Sequence, residues 1–214
     1  MVKNKSRHKA PWISPGIPTQ PERARIDIMR HEAGHMVIGR VLGFSTGDMI
    51  WKPNEAGAQI NPEPNIKDIS SLVSYIERRI PVLYAGAMAE AKSGKEVLAM
   101  LKDDRAKDDF SKIRELLQLY TSLNRGDLTS EEVHQKNNNR LWHRADTLVD
   151  KYKPQIFALS KLFFERIGGR EDITIPASEI AGWKVFSDLP IGGEVEAMSK
   201  LEAPDDLKSE DEVN

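Results

Sequence analysis

The sequence predicts a mainly α fold with one small β element. Three observations predict it: four long stretches whose apolar residues recur at helical spacing, one pair of short alternating runs, and a histidine pentapeptide whose chemistry needs a helix. The 214 residues suffice for one domain with a sizeable core and ragged ends.

Residues 1–18 carry Lys3, Lys5, Arg7 and Lys9 without an acid, then Pro11, Pro15 and Pro18. They read as a flexible basic arm that aids solubility or touches an acidic partner. The domain is expected over 19–187. Its first helix starts at Thr19, Pro21 and Glu22, a hydroxyl three residues before an acid with proline in the first turn. It runs to about Leu42, with Ile26, Met29, Ala33, Met36, Val37 and Val41 as its apolar stripe. Asp48 to Lys52 and Ala58 to Asn61 then flank Pro53 to Gly57 as a hairpin, whose edge strand could pair with an extended peptide. A second helix spans 68–93, with Pro81 as a kink or break. A third runs from Ala106 to Leu123, is broken by Asn124 to Asp127, and gives way to a polar stretch from Ser130 to Asn139. The fourth covers Arg140 to Ile167, interrupted at Pro154 and ended by Gly168 and Gly169. Residues 188–214 are expected to be a disordered acidic tail, because 194–214 hold eight acids against two lysines.

A net charge of −2 argues against binding nucleic acid through phosphates. No apolar run reaches membrane-spanning length, and the N-terminus lacks a signal-like apolar segment, so a cytoplasmic protein with no membrane partner is expected. Zero cysteines leave histidines and carboxylates as the only strong metal ligands.

Those ligands converge in His31-Glu32-Ala33-Gly34-His35. On a helix, i and i+4 share a face one turn apart, so both imidazoles can reach one zinc ion (Zn2+) while Glu32 addresses its water. The plainer reading is a charged helix turn. Gly34 in mid-helix costs about 1 kcal/mol against alanine, which a close backbone approach or helix packing explains.

Catalytic zinc normally takes a third protein ligand. On the third helix Phe110, Ile113, Leu117 and Tyr120 define the apolar face; Asp109 falls on that half and Asp108 opposite it. A carboxylate on a burying face is costly unless a cation satisfies it, which favours Asp109. Its plain alternatives are a Lys or Arg partner, or the helix dipole. Glu90 is the next candidate, then His143 and His134, while Asp103 and Asp104 could cap the helix or support a ligand. Ile38 and Val41 stand where a compact three-histidine site would need Gly and His.

His31 to His35, Ala85-Gly86-Ala87-Met88-Ala89-Glu90 and Lys107-Asp108-Asp109-Phe110 resemble, in that order, the peptidase domain of FtsH-type AAA+ zinc proteases. The resemblance runs from about Thr19 to Gly182 and implies a zincin-like helical metallopeptidase domain. It implies His31, His35 and Asp109 as zinc ligands and Glu32 as general base. Glu90 becomes a support for a ligand helix, and Asp108, which stands where the family has Asn, could likewise support a ligand. The chain carries no Walker A loop, ATPase module or membrane anchor. The implied activity is therefore stand-alone cleavage of unfolded or flexible protein and peptide substrates, with the oligomeric state left open. The alternatives are a non-catalytic zincin-like metal-binding protein acting as an interaction module, and a helical module without metal. Fe2+ or Mn2+ could also occupy such a ligand set.

Overall fold

A computed structural model of the chain describes residues 20–53, 55–62, 65–91, 94–101, 106–123 and 130–195. The basic arm up to residue 18, Thr19, Asp103, Asp104 and the Asn124 to Asp127 break lie outside them. The described chain is mainly helical with one small antiparallel sheet. Its elements in order are α1 (Gln20–Val41), β1 (Thr46–Lys52), β2 (Glu55–Ile60), α2 (Ile69–Glu90), α3 (Gly94–Met100), α4 (Lys107–Leu123), α5 (Ser130–Lys151), α6 (Lys153–Ile167), β3 (Ile173–Ile175), α7 (Ala177–Gly182) and α8 (Lys184–Ser187). Among the described residues no helix is long and apolar enough to cross a membrane.

The centre of the fold is α2, which packs against α1, α4 and α5. It starts at a capping box in which Asp68 Oδ1 accepts from the Ser71 N–H at 2.7 Å and Ser71 Oγ accepts from the Asp68 N–H at 3.0 Å. The helix then runs unbroken through Pro81, where a kink or break is expected from sequence. Proline removes one helical hydrogen bond at a cost of about 3 kcal/mol. Burial offsets that cost, because Ile76, Ile80, Val82, Leu83 and Ala85 surround Pro81 in the core. Beneath α2, Tyr120 of α4 donates its hydroxyl to Glu77 Oε1, and Arg140 Nη2 of α5 donates to the same oxygen at 2.5 Å. This cluster fixes α4 and α5 against α2, and so sets the position of the α4 N-terminus.

The polar stretch expected from Ser130 to Asn139 is instead the first half of α5. Asparagine disfavours helix interiors, but Val133 on this stretch is buried and Asn138 Oδ1 accepts from the Tyr84 hydroxyl of α2 at 2.7 Å. Burial pushes the Tyr84 phenol up to about 12, so it stays a donor at neutral pH. The expected interruption near Pro154 falls at Tyr152, with proline in the first turn of α6, and Gly168 at φ 56° ends α6.

The sheet has the order β2-β1-β3, with β1 antiparallel to both neighbours. The hairpin pairs Met49 with Ala58 and Trp51 with Ala56, and β3 adds Ile175 opposite Met49. Residues 188–195, expected within the tail, pack on the body: Leu189 is buried, the Gly192 N–H donates to Arg40 O at 3.1 Å, and the Glu194 N–H donates to Val41 O at 3.1 Å. Residues from 196 onward lie outside the described set.

Candidate metal centre

Helix α1 brings His31 and His35 onto one face, one turn apart, with ring centroids 4.8 Å apart and each residue 7% exposed. Helix α4 supplies the third group. Asp109 stands in its first turn, and its Oδ2 lies 3.2 Å from His31 Nε2 and 3.0 Å from His35 Nε2. These three side chains form a group that could hold a metal ion.

The far sides of both imidazoles are fixed. His35 Nδ1 lies 2.7 Å from the Val82 carbonyl oxygen, which can only accept, so Nδ1 carries the proton there. His31 Nδ1 lies 3.2 Å from Glu90 Oε2 and donates to that carboxylate in the same way. Each Nε2 is thereby turned toward Asp109, where it can hold either a proton or a metal ion. Donor atoms bound about 2.0–2.2 Å from a tetrahedral ion lie roughly 3.3 Å from one another, close to the two separations of Asp109 Oδ2 from the imidazoles.

The electrostatics ask for a cation at the same point. Burial alone would push His31 down, but the Asp109 and Glu90 carboxylates, with Glu32 nearby, hold it up at about 10. Burial alone would raise Asp109, yet the two histidines hold it well below the ordinary carboxylate range. Two neutral imidazoles and a carboxylate in this arrangement present lone pairs to one another, which a metal ion or a proton must bridge.

Two glycines make room for the centre. A Cβ on Gly34 would lie 2.5 Å from the Ala85 carbonyl oxygen and 2.8 Å from Ala89 Cβ, so the mid-helix glycine lets α1 and α2 touch along their backbones. A Cβ on Gly86 would lie 2.4 Å from His35 Nε2 and 2.6 Å from His31 Nε2, in contact with both prospective ligand atoms.

Glu32, also 7% exposed, lies outside the ligand group and reaches the sheet, where its Oε2 accepts from the Ala58 N–H of β2 at 2.7 Å. A cleft of about 380 Å³ runs beside His31, Glu32, Ala56 and Glu90. The remaining candidates lie elsewhere. Asp108 is exposed, and none of the hydrogen bonds among the described residues joins it to either histidine. His143 is exposed on α5, and His134 Nδ1 lies 3.5 Å from Thr121 Oγ1, outside the ligand group. Sequence reasoning missed the Val82 carbonyl and the Ala58 amide. Every residue carries such groups, so no sequence signal marks them.

Glu90→Gln is expected to weaken zinc binding by about 10- to 100-fold, because the amide holds the His31 ring more weakly and lowers its basicity. Competition against a calibrated chelator reads this directly, and unchanged affinity would remove Glu90 from the centre. The chain matches no protein-family model and no curated protein, so the reading of this centre rests on its own residues.

Proposed function

We propose that the protein is a zinc metallopeptidase that hydrolyses peptide bonds in unfolded or flexible protein segments, with zinc held by His31, His35 and Asp109. The observation that carries this reading is the convergence of two fixed imidazoles and one half-buried carboxylate, with His31 and a second carboxylate, Glu32, lining a cleft beside them. Zinc at such a site lowers the pKa of water to about 7 and polarises a carbonyl.

The protein groups do the rest. Glu32 is held through Oε2 by the Ala58 amide, which leaves Oε1 to take the proton of the attacking water and pass it to the departing amine. Strand β2 is an edge strand, and its Ala58 N–H turns to Glu32 rather than to β1. An extended peptide laid along that edge would present its backbone beside Glu32 and gain main-chain hydrogen bonds, a mode that accepts many sequences. The order of the three motifs resembles FtsH-type peptidase domains, which supports a zincin-like assignment of the fold.

The test is cleavage of unfolded casein by the zinc-loaded full chain, with a chelator-treated sample and the Glu32→Gln variant as controls. Cleavage that stops with chelator and returns with zinc is expected. A protein that binds zinc stoichiometrically and leaves casein intact would instead be a non-catalytic metal-binding scaffold.

A further inference from the structure

The cleft beside His31 and Glu32 shares one of its walls. Glu90, which lines it, also lines a second cavity of about 570 Å³ that is walled by α1, α2, α3, α5 and α6. His31 stands between the two. Arg30 and Glu32, the residues before and after it on α1, project about 100° to either side of it; Glu32 lines the cleft together with Ala56 of β2, and Arg30 lines the cavity. Arg30 Nη1 donates to Asp27 Oδ1 at 3.0 Å, and Asp27 belongs to the cleft. The paired Asp27 and Arg30, with Glu90, thus form a sill common to both spaces.

The apolar lining of the cavity is Met88 of α2, Val97 of α3, Trp142 and Val149 of α5, and Ile156 and Phe157 of α6. Four of these are buried, whereas Trp142 is half-buried and Phe157 is 40% exposed, so both aromatic residues keep uncovered surface. Their rings are braced. Trp142 packs edge-on against Tyr84 with centroids 5.1 Å apart, and the Arg30 guanidinium lies 4.9 Å from the centre of the Phe157 ring. Among the described residues the charged lining nearly cancels, Glu90, Asp146 and Asp150 against Arg30 and Lys153, which favours an uncharged occupant. Protein interiors leave few voids larger than a water molecule, and apolar pockets of about 300–1,000 Å³ are the usual seats of ligand groups.

We propose that this cavity is a side-chain subsite of the peptide site, and that Trp142 and Phe157 make it select a large apolar or aromatic residue of the substrate. This rests on the peptidase reading. A substrate backbone paired with the edge of β2 lies on the Glu32 side of His31, and a side chain turned away from β2 passes His31 and Glu90 to enter the cavity. Offset or edge-to-face contact with the two rings then adds to the apolar area removed from water. Both residues set specificity and have no part in proton transfer.

The experiment digests unfolded casein with the zinc-loaded full chain and aligns the products, sequenced by mass spectrometry, on the cut bond. Large apolar or aromatic residues should be enriched at one fixed position beside that bond. A peptide spanning the strongest cut, with Phe at that position, should show a kcat/KM about 10- to 200-fold above the same peptide with Ala there. Trp142→Ala and Phe157→Ala should each shrink this ratio several-fold by lowering kcat/KM for the Phe peptide alone, with zinc content unchanged. The ratio does not depend on the fraction of protein that is folded, and Phe157, already 40% exposed, can be truncated without opening the core. No enrichment at any position, enrichment of charged residues instead, or a ratio unchanged in either variant overturns the subsite alone. Failure of the unaltered protein to cut casein overturns the peptidase reading and the subsite with it.

Discussion

Glu32→Gln is expected to lower casein hydrolysis by about 10²- to 10⁴-fold while the protein keeps its fold and its metal. The substitution is close to isosteric. The carbonyl oxygen of glutamine can still accept from the Ala58 N–H, as Glu32 Oε2 does at 2.7 Å, so the contact between α1 and β2 survives. An amide cannot take a proton from water, and that capacity alone is removed. Glu32 lies outside the three-residue ligand group, so zinc stoichiometry should not change. Initial rates, elemental analysis and thermal melting on the same preparations separate these effects. Full activity in Glu32→Gln would assign the base to another residue, and loss of metal would make Glu32 part of the ligand set.

Gly86→Ala is expected to abolish stoichiometric zinc binding through a single methyl group. That methyl would lie 2.4 Å from His35 Nε2, 2.5 Å from His35 Cε1 and 2.6 Å from His31 Nε2. The rings cannot retreat freely, because His35 Nδ1 is held by the Val82 carbonyl and His31 Nδ1 by Glu90. The overcrowded site should cost about 1–3 kcal/mol of stability. In an open helix the same change would stabilise by about 0.5–1 kcal/mol, so the sign of the Tm change is itself informative. A raised Tm with unchanged zinc content would mean that α1 and α2 stand further apart at this point.

The parts of the molecule legible in the sequence are those where side-chain period and chemistry coincide. His31 and His35 share a face only on a helix, and α1 is that helix; the wheel that puts Asp109 on the buried half of α4 leads to the carboxylate that meets both imidazoles. The hairpin is legible from alternation about Pro53 to Gly57, whereas β3 is three residues long and exists because β1 offers a second edge. Pro81 and the asparagines of α5 mislead for one reason: local propensity opposes a helix there, and burial of α2 together with the Tyr84 bond to Asn138 overrides it. Acidic composition likewise suggests a free tail from 188, yet Glu194 accepts from Lys151 Nζ and the Tyr152 hydroxyl, each at 2.5 Å, partners that only the folded body provides. In the site, Gly86 is visible as a letter of a motif, but its contact with two imidazoles 51 and 55 residues earlier depends on how α1 crosses α2.

The most direct measurement of the central claim is a zinc titration of the chelator-stripped, tag-free full chain beside Asp109→Ala, His31→Ala and Asp108→Ala. One ion per chain is expected in the unaltered protein and in Asp108→Ala, with tight binding lost in the other two because a two-ligand remnant cannot close a catalytic zinc site. Stoichiometric zinc persisting in Asp109→Ala, or none bound by the unaltered chain, would contradict the account.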